Sequence, residues 1–276
     1  MAEPVSIALL YPELLGTYGD GGNAAVLAQR LRWRNIPAEL VDVHAGEAIP
    51  TGCQIYVMGG GEDAPQALAA QELRSGTVSR SGSRSGSASR SESRSGSVLV
   101  DAVDQGAAVL AVCAGLQVLG HRFAGEDGKV HEGLALLDCE THRDDGPRRI
   151  GEVVVTPDPS LGLPDLTGYE NHGGVTTLGP TAVPLGRVVV GNGNAGGDGT
   201  EGIVNGRVIG TYLHGPVLAR NPALADHLLS SVLGPLPPLD DDEIEALRKE
   251  RLHAARHPHL HMPQLASGWR RLLRGD

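Results

Sequence analysis

The sequence predicts an α/β protein whose single domain holds one mostly parallel sheet flanked by helices. Short apolar runs alternate with helix-like stretches through the first half of the chain, which is typical of strands joined by crossover helices. Hydrophobic residues make up 40% of the 276 residues but aromatic residues only 3%, so aliphatic side chains must fill the core. This composition suits strands that are buried between two layers of helices.

The individual elements follow from the positions of these runs. A strand at 5–11 precedes a glycine-rich turn and a helix at 23–34, for which Asn23 is a plausible cap. The other predicted strands lie at 38–43, 54–58, 107–112, 151–156 and 207–213, with a hairpin-like region at 188–209. Further helices are expected at 67–73, up to residue 105 and at 241–255. We therefore expect a domain at 1–235 and a C-terminal helix and tail at 236–276.

An insertion at about 74–97 interrupts this pattern, because 11 of its 24 residues are Ser, 5 are Arg and 4 are Gly. Such a segment cannot bury enough apolar surface to offset its loss of conformational entropy. We interpret it as a flexible surface insertion. An Arg/Ser-rich segment for nucleic acid or phosphorylation is the functional alternative.

Charge and cysteine content exclude several classes of function. The net charge of -10 argues against a broad nucleic-acid surface, which needs clustered Lys and Arg. The three cysteines form no CxxC pair, which favours a reducing compartment. The N-terminal segment lacks the basic residues of a signal peptide, and no apolar run reaches the ~18 residues of a membrane span. We expect a cytoplasmic protein without a metal site, although four histidines near the C-terminus make metal binding conceivable.

Cys113 is the strongest candidate for a nucleophile. The apolar run 107–112 leads directly into Cys113, and Ala114, Gly115 and a helix-forming stretch follow. This is the pattern of a nucleophile elbow, where a sharp strand-to-helix turn exposes the thiol and the helix N-terminus favours the thiolate. The N–H of Ala114 would face a developing oxyanion, and Gly60 in the 59–61 glycine loop would supply a second donor. The alternative is that Cys113 is a small buried hydrophobic residue, as we expect for Cys53 and Cys139.

His214 is the best candidate for the base that a cysteine nucleophile needs. It follows the predicted strand at 207–213 and precedes Gly215 and Pro216, which end that strand. The carboxyl ends of parallel strands lie at one edge of a sheet, so His214 should lie close to Cys113. A cysteine with a histidine distant in sequence is the usual pair for thiol-dependent acyl transfer.

Four segments carry a family resemblance. Val-Cys-Ala-Gly-Leu-Gln at 112–117 and Thr-Tyr-Leu-His-Gly at 211–215 resemble the class I glutamine amidotransferases of the cobyric acid synthase type. Tyr-Gly-Asp-Gly-Gly-Asn at 18–23 and Tyr-Glu-Asn-His-Gly-Gly at 169–174 are similar to the glutaminase subunits of lipid II isoglutaminyl synthases. The resemblance extends from about residue 6 to the C-terminal helix and leaves out the insertion.

The resemblance implies an activity and a partner. Cys113 would attack the side-chain amide of L-glutamine, and His214 would act as acid and base in forming and hydrolysing a thioester. Ammonia would pass to a MurT-like Mur ligase subunit, which would use ATP and Mg²⁺ to amidate lipid II, whereas this subunit would need no cofactor. Arg148 would bind the glutamine carboxylate, with Arg149 as the competitor and a solvated basic pair as the alternative.

Two residues depart from the family pattern. Ala111 replaces a glycine two residues before the nucleophile, which an elbow tolerates if its φ is negative. Pro216 stands where class I enzymes have the glutamate that orients the histidine, so the acid must come from elsewhere in this chain or from the partner. We favour the partner, which predicts weak activity of the isolated subunit. Asp20 is interpreted as a residue of the rim or the interface, as are Asn171 and His172, which we expect in a loop.

Alternative functions remain at this point. One is an amidotransferase subunit for cobyrinic or cobyric acid, although the chain has no Gly-x-x-x-x-Gly-Lys-Ser/Thr loop for activating a carboxylate itself. A cysteine peptidase on a similar scaffold is another enzyme. From outside enzymology, the chain could be a catalytically silent interaction protein with an Arg/Ser-rich arm.

Overall fold

The computed structural model describes residues 3–75, 98–125 and 128–257. Residues 76–97 of the insertion, for which flexibility was predicted, lie outside the described residues. The histidines at 259 and 261 also lie outside them. Within this part of the chain there are fourteen strands: β1 (Val5–Leu10), β2 (Ala38–Val43), β3 (Ile55–Met58), β4 (Ala108–Val112), β5 (Arg122–Ala124), β6 (Val130–Glu132), β7 (Cys139–Arg143), β8 (Arg149–Pro157), β9 (Leu166–His172), β10 (Gly174–Leu178), β11 (Gly186–Val190), β12 (Thr200–Glu201), β13 (Ile203–Asn205) and β14 (Val208–Thr211).

The central sheet has six strands in the order β13–β14–β4–β3–β1–β2. Its strands are parallel except β13, which runs antiparallel to β14. The carboxyl ends of β1, β3, β4 and β14 therefore lie side by side at one edge of the sheet. Each residue of β3, β4 and β14 is buried, as expected for a parallel sheet covered on both faces.

Seven α-helices lie in the described part of the chain: α1 (Gly22–Trp33), α2 (Asp63–Ser75), α3 (Val98–Asp104), α4 (Ala114–Leu119), α5 (Val217–Arg220), α6 (Pro222–Leu233) and α7 (Asp242–Arg256). The helices α1, α5 and α6 pack together, and α2 packs against α4. Among the described residues no helix is both long enough and apolar enough to traverse a bilayer. The prediction of an α/β domain with a parallel sheet between helices is confirmed, and the first four predicted strands shift by at most one residue at either end.

Two smaller sheets are formed by strands that follow α4 in the chain, and they were not predicted as such. Their orders are β10–β7–β5–β6 and β12–β11–β8–β9, and their pairs are antiparallel apart from β5 with β7. The predicted strand at 151–156 is part of the longer β8. Helix α7 packs on β8 and β9, where Leu252 and Ala255 cover Val154. The C-terminal helix is thus attached to the second half of the domain.

Two local predictions are wrong. Asn23 does not cap α1, because its side chain is buried and accepts a hydrogen bond from the Leu218 N–H at 2.9 Å. Asn171 and His172 do not lie in a loop, because they end β9 and pair with β8. The buried residues of that strand are partly polar and have polar partners. An apolar run therefore does not mark the strand in the sequence. Ala111 lies within β4 and has no positive φ, so the departure from glycine is accommodated.

A buried arginine joins α1 to the C-terminal helices. The side chain of Arg30 is only 2% exposed, and its guanidinium binds both carboxylate oxygens of Asp226 at 2.7 Å. It also donates to Asp241 at 2.7 and 3.0 Å, and Arg34 donates to Asp226 at 2.7 Å. Burial opposes the charge of Asp226, but the two arginines outweigh it and lower the pKa of that carboxyl.

Removal of Arg30 should destabilise the fold. Arg30→Met leaves two partly buried carboxylates without their main cation, which costs about 3 kcal/mol, the low end for breaking a buried pair. Because the pKa of Asp226 is lowered in the folded state, its contribution to stability is present above its unfolded pKa and lost as the pH falls through the folded one. Urea unfolding at pH 7 and pH 3 measures both effects. Arg32→Met on the same helix changes an exposed arginine and is the matched control; equal stability of the two variants would contradict the expectation.

Candidate active site

Cys113 occupies a strained turn between β4 and α4. Its backbone φ of 52° and ψ of -105° lie in a region that residues other than glycine rarely adopt. Such backbone strain is common at functional sites. The Cys113 N–H donates to the Thr211 carbonyl at 2.8 Å, which ties the turn to β14. Gly115 lies in a tightly packed position, because a Cβ there would lie 3.1 Å from the Gly59 carbonyl oxygen. The predicted elbow is therefore present.

His214 follows β14, and hydrogen bonds hold both its backbone and its ring. Its backbone exchanges two hydrogen bonds with Tyr169, at 2.8 and 3.1 Å. Its ring is buried, and Nδ1 lies 2.8 Å from Asp20 Oδ2. Asp20 is fully buried in the loop that follows β1. The acid that orients the imidazole is thus in this chain, which corrects both our preference for an acid from the partner and the interpretation of Asp20 as a rim residue.

Pro216 has a different role from the glutamate that it replaces. It immediately precedes α5 and packs against the start of α1, since a Cβ on Gly22 would meet Pro216 Cγ at 2.5 Å. This contact brings the loop that carries Asp20 next to the segment that carries His214. The acid that contacts His214 is therefore Asp20, near the N-terminus, and not a residue two positions after the histidine.

The imidazole of His214 is stabilised in its protonated form. Burial lowers the pKa of His214, but the hydrogen bond to Asp20 and the interaction with Cys113 outweigh burial and raise it to about 10. Nε2 is buried and has no partner of good hydrogen-bond geometry in the described part of the chain. At neutral pH His214 is therefore an imidazolium next to the Cys113 thiol.

Gly60 lies at the point where these three side chains meet. A Cβ on Gly60 would lie 2.7 Å from His214 Cε1, 3.2 Å from Asp20 Oδ2 and 3.2 Å from Cys113 Cβ. The Gly60 N–H donates to Asp20 Oδ2 at 3.0 Å. That N–H is therefore occupied and does not serve as the free oxyanion donor that the sequence suggested. Gly61, the next residue, lines the cavity beside Cys113 together with Ala114.

Arg148, and not Arg149, faces the cavity beside Cys113. Its guanidinium is held by Asn171, with Nε 3.0 Å from Oδ1 and Nη2 3.0 Å from the carbonyl oxygen. Nη2 also donates to the Tyr18 hydroxyl at 3.3 Å. Arg149 instead pairs with Asp144 at 2.5 Å. Of the two arginines, Arg148 is therefore the one that lies where it can contact a ligand in this cavity.

Several residues of the site escaped sequence analysis. The Tyr18 ring packs against the His214 ring with centroids 4.7 Å apart, so it shields the imidazole. Gln117, one turn into α4, accepts from Gln66 at 2.7 Å and donates to the Tyr212 hydroxyl at 3.0 Å. His172, which the sequence had placed at the rim or the interface, is stacked on Tyr212 and lines the cavity. The motif Val-Cys-Ala-Gly-Leu-Gln contained Gln117, but only the fold reveals its partners.

The other two cysteines lack this environment. Cys53 and Cys139 are buried, and burial raises the pKa of both thiols, that of Cys139 to about 12. Neither is activated as a nucleophile at neutral pH. The described residues contain no cluster of three or more His, Cys, Asp or Glu that could hold a metal ion.

The chain is similar to known proteins of one family. A family model described as a CobB/CobQ-like glutamine amidotransferase domain matches residues 82–222. The chain is 35% identical to the lipid II isoglutaminyl synthase (glutamine-hydrolyzing) subunit GatD of Staphylococcus aureus over 246 residues, 86% of this chain and 90% of that protein. Identity to the subunit of the same name from Streptococcus pneumoniae is 33%, over 83% of this chain and 80% of that protein.

More distant relatives match a smaller segment. A probable cobyric acid synthase of Methanothermobacter thermautotrophicus is 40% identical over 118 residues, which are 39% of this chain but only 23% of that protein. The chain therefore belongs to the CobB/CobQ-like glutamine amidotransferases and, within them, to the GatD family of glutamine-hydrolysing subunits.

Proposed function

We propose that this chain hydrolyses L-glutamine at Cys113 and delivers the ammonia to a MurT-like Mur ligase subunit, which amidates the D-glutamate of the lipid II stem peptide to D-isoglutamine. The observation that carries the proposal is the convergence of Cys113, His214 and Asp20 around Gly60. The near full-length match to two GatD subunits supports the choice of acceptor.

The first half of the reaction forms a thioester. The Cys113 thiolate attacks the side-chain amide carbon of glutamine, and the amide oxygen becomes an oxyanion. His214, kept protonated by Asp20, gives its proton to the nitrogen as the C–N bond breaks, and ammonia leaves. Cys113 is then acylated by the glutamyl group, and His214 is neutral.

The second half hydrolyses this thioester. Neutral His214 removes a proton from water, the resulting hydroxide attacks the thioester carbonyl, and the C–S bond breaks to release glutamate and the Cys113 thiolate. The N–H groups of Ala114 and Gly61 are the proposed oxyanion donors in both halves, because both residues line the cavity with Cys113. Arg148 binds the α-carboxylate of the substrate.

We assign the ATP-dependent step to the partner. Activation of the acceptor carboxylate needs ATP and Mg²⁺, which we assign to the Mur ligase subunit in the cytoplasm. The relatives that match most of their own length carry the name of a lipid II isoglutaminyl synthase subunit, whereas the cobyric acid synthase matches over only 23% of its length. These proportions favour lipid II over cobyric acid as the acceptor.

Covalent labelling tests the proposal directly. A glutamine-mimicking chloroketone should modify Cys113 stoichiometrically, and glutamine should protect it, as mass spectrometry of peptides would show. Cys53 and Cys139 serve as internal controls.

Ammonia release from glutamine, measured with and without a co-expressed Mur ligase subunit, completes the test. A Cys113→Ala protein that still releases ammonia would overturn the mechanism, and transfer of ¹⁵N from amide-labelled glutamine to a cobyric acid instead of lipid II would overturn the acceptor.

Arg148 should determine the affinity for glutamine. Arg148→Lys keeps the charge but loses the fork that binds both carboxylate oxygens, so KM for glutamine should rise about tenfold, equivalent to about 1.4 kcal/mol, with a smaller change in kcat. Steady-state kinetics of ammonia release measure this. Arg149→Lys is the matched control, and a larger rise in KM for that variant would reverse the assignment.

A further inference from the structure

Glu201 is a buried carboxylate with no part in the proposed chemistry. It ends β12 and is fully buried. Its Oε1 accepts two hydrogen bonds, from the Thr211 hydroxyl at 2.9 Å and from the Tyr212 N–H at 2.7 Å. The Thr211 hydroxyl in turn accepts from the Leu213 N–H at 3.1 Å. One carboxylate oxygen therefore holds the three residues that lead to His214.

The same segment is connected to the nucleophile helix. The Tyr212 hydroxyl accepts from Gln117 Nε2 at 3.0 Å and lies 2.7 Å from the Thr176 hydroxyl. Gln117 is on α4, one turn after Cys113, and its N–H donates to the Cys113 carbonyl at 3.1 Å. A buried path of hydrogen bonds thus runs from Glu201 through Tyr212 to the helix that begins next to Cys113.

We propose that Glu201 is a positioning residue for the Cys113–His214 pair: its carboxyl oxygen fixes residues 211–213, from which His214 projects, relative to the helix that carries Gln117. This proposal rests on the proposed function for the identity of the reactive pair. It adds a residue that touches neither the thiol nor the imidazole and is 13 positions from His214 in sequence.

Two substitutions of Glu201 distinguish the effect of its hydrogen bonds from the effect of its buried volume. Burial raises the pKa of Glu201 to about 7, opposed by the two hydrogen bonds and aided by the charge of Glu170. The neutral acid still offers a carbonyl oxygen to Thr211 and Tyr212, and an amide oxygen can do the same. Glu201→Gln should therefore keep the anchor, whereas Glu201→Leu has similar volume and leaves the Tyr212 N–H unpaired.

The test compares these variants in two assays. Misplacement of a catalytic group by about 1 Å can cost about 10²-fold in rate, so Glu201→Leu should lower kcat for ammonia release about 10²-fold with little change in KM. It should also slow alkylation of Cys113 by iodoacetamide at pH 7 about tenfold, since the thiolate depends on a well-placed imidazolium. Glu201→Gln should restore both rates to within about threefold of wild type.

Controls separate positioning from a loss of stability. Thr211→Val removes the bridging hydroxyl and should move both assays in the same direction, which keeps the test valid if Glu201→Leu does not fold. Arg30→Met lowers stability at a distant site and should leave the alkylation rate unchanged. Folded Glu201→Leu and Thr211→Val proteins with wild-type kcat and alkylation rates would overturn the proposal. Alkylation that responds to Glu201 in a protein that releases no ammonia would instead refute the proposed function alone.

Discussion

Asp20→Asn should lower kcat for glutamine hydrolysis on the order of 10⁴-fold, the scale seen when the acid of a hydrolytic triad becomes an amide. The amide cannot stabilise the imidazolium, and it can present an N–H to Nδ1 and so impose the wrong tautomer. Asp20 Oδ2 also accepts from the Gly60 N–H at 3.0 Å, so an amide flip would disturb the backbone beneath the site. Rapid-quench measurement of thioester formation would locate the loss in the first half of the reaction.

The pH profile should change in a defined direction. In the wild type, burial lowers the pKa of His214 but Asp20 and Cys113 raise it to about 10, so the imidazolium persists well above neutral pH. Without the carboxylate this pKa falls, and the alkaline limb of kcat/KM should move to lower pH. Asp42→Asn, an exposed carboxylate on β2, provides the control. An alkaline limb that stays in place in Asp20→Asn would show that another group orients His214.

Gly60→Ala should reduce kcat at least about 10²-fold while the protein stays folded. The φ of Gly60 is not positive, so alanine is allowed by the backbone and the effect is one of space. The new methyl group would lie 2.7 Å from His214 Cε1, closer than real Cβ contacts, and the hydrogen bond to Asp20 prevents the ring from moving without a cost. Displacement of the imidazole should therefore separate it from Cys113.

Gly151→Ala is the matched control for this substitution. It adds the same methyl group in β8, where a Cβ would have no neighbour within 4 Å, and should leave kcat within about twofold of wild type. Thermal unfolding of both variants distinguishes a displaced imidazole from a damaged fold. A Gly60→Ala enzyme with normal kcat would mean that the His214 ring occupies another position during catalysis.

Sequence patterns located the nucleophile and its base because both follow apolar strands. The run 107–112 leads directly into Cys113, and β14 ends at Thr211, three residues before His214 and not at the predicted Gly-Pro. Parallel strands bring their carboxyl ends together. Asp20 could not be assigned in the same way, since it is 194 residues from His214 and lies in a glycine-rich loop that has several possible paths. Pro216 stands where the family pattern has the acid, which favoured an acid from the partner over one in the first loop.

The polar interior was the other limit of sequence analysis. Strand β9 carries Tyr, Glu, Asn and His in succession, and their burial depends on bonds such as Glu170 with Asn192 at 2.6 Å. Short strands such as β12 have two residues and no periodicity to detect. Glu201 therefore resembles a surface residue in the sequence, although it is fully buried in the fold.

The origin of Asp20 and Gly60 in the first 60 residues has a consequence for how the enzyme can be subdivided. The family match covers residues 82–222, which include Cys113 and His214 but neither Asp20 nor Gly60. A fragment cut at those limits would also lack β1, β2 and β3, half of the central sheet. Recombinant fragments, domain fusions and searches for minimal glutaminases based on this family must therefore begin upstream of β1.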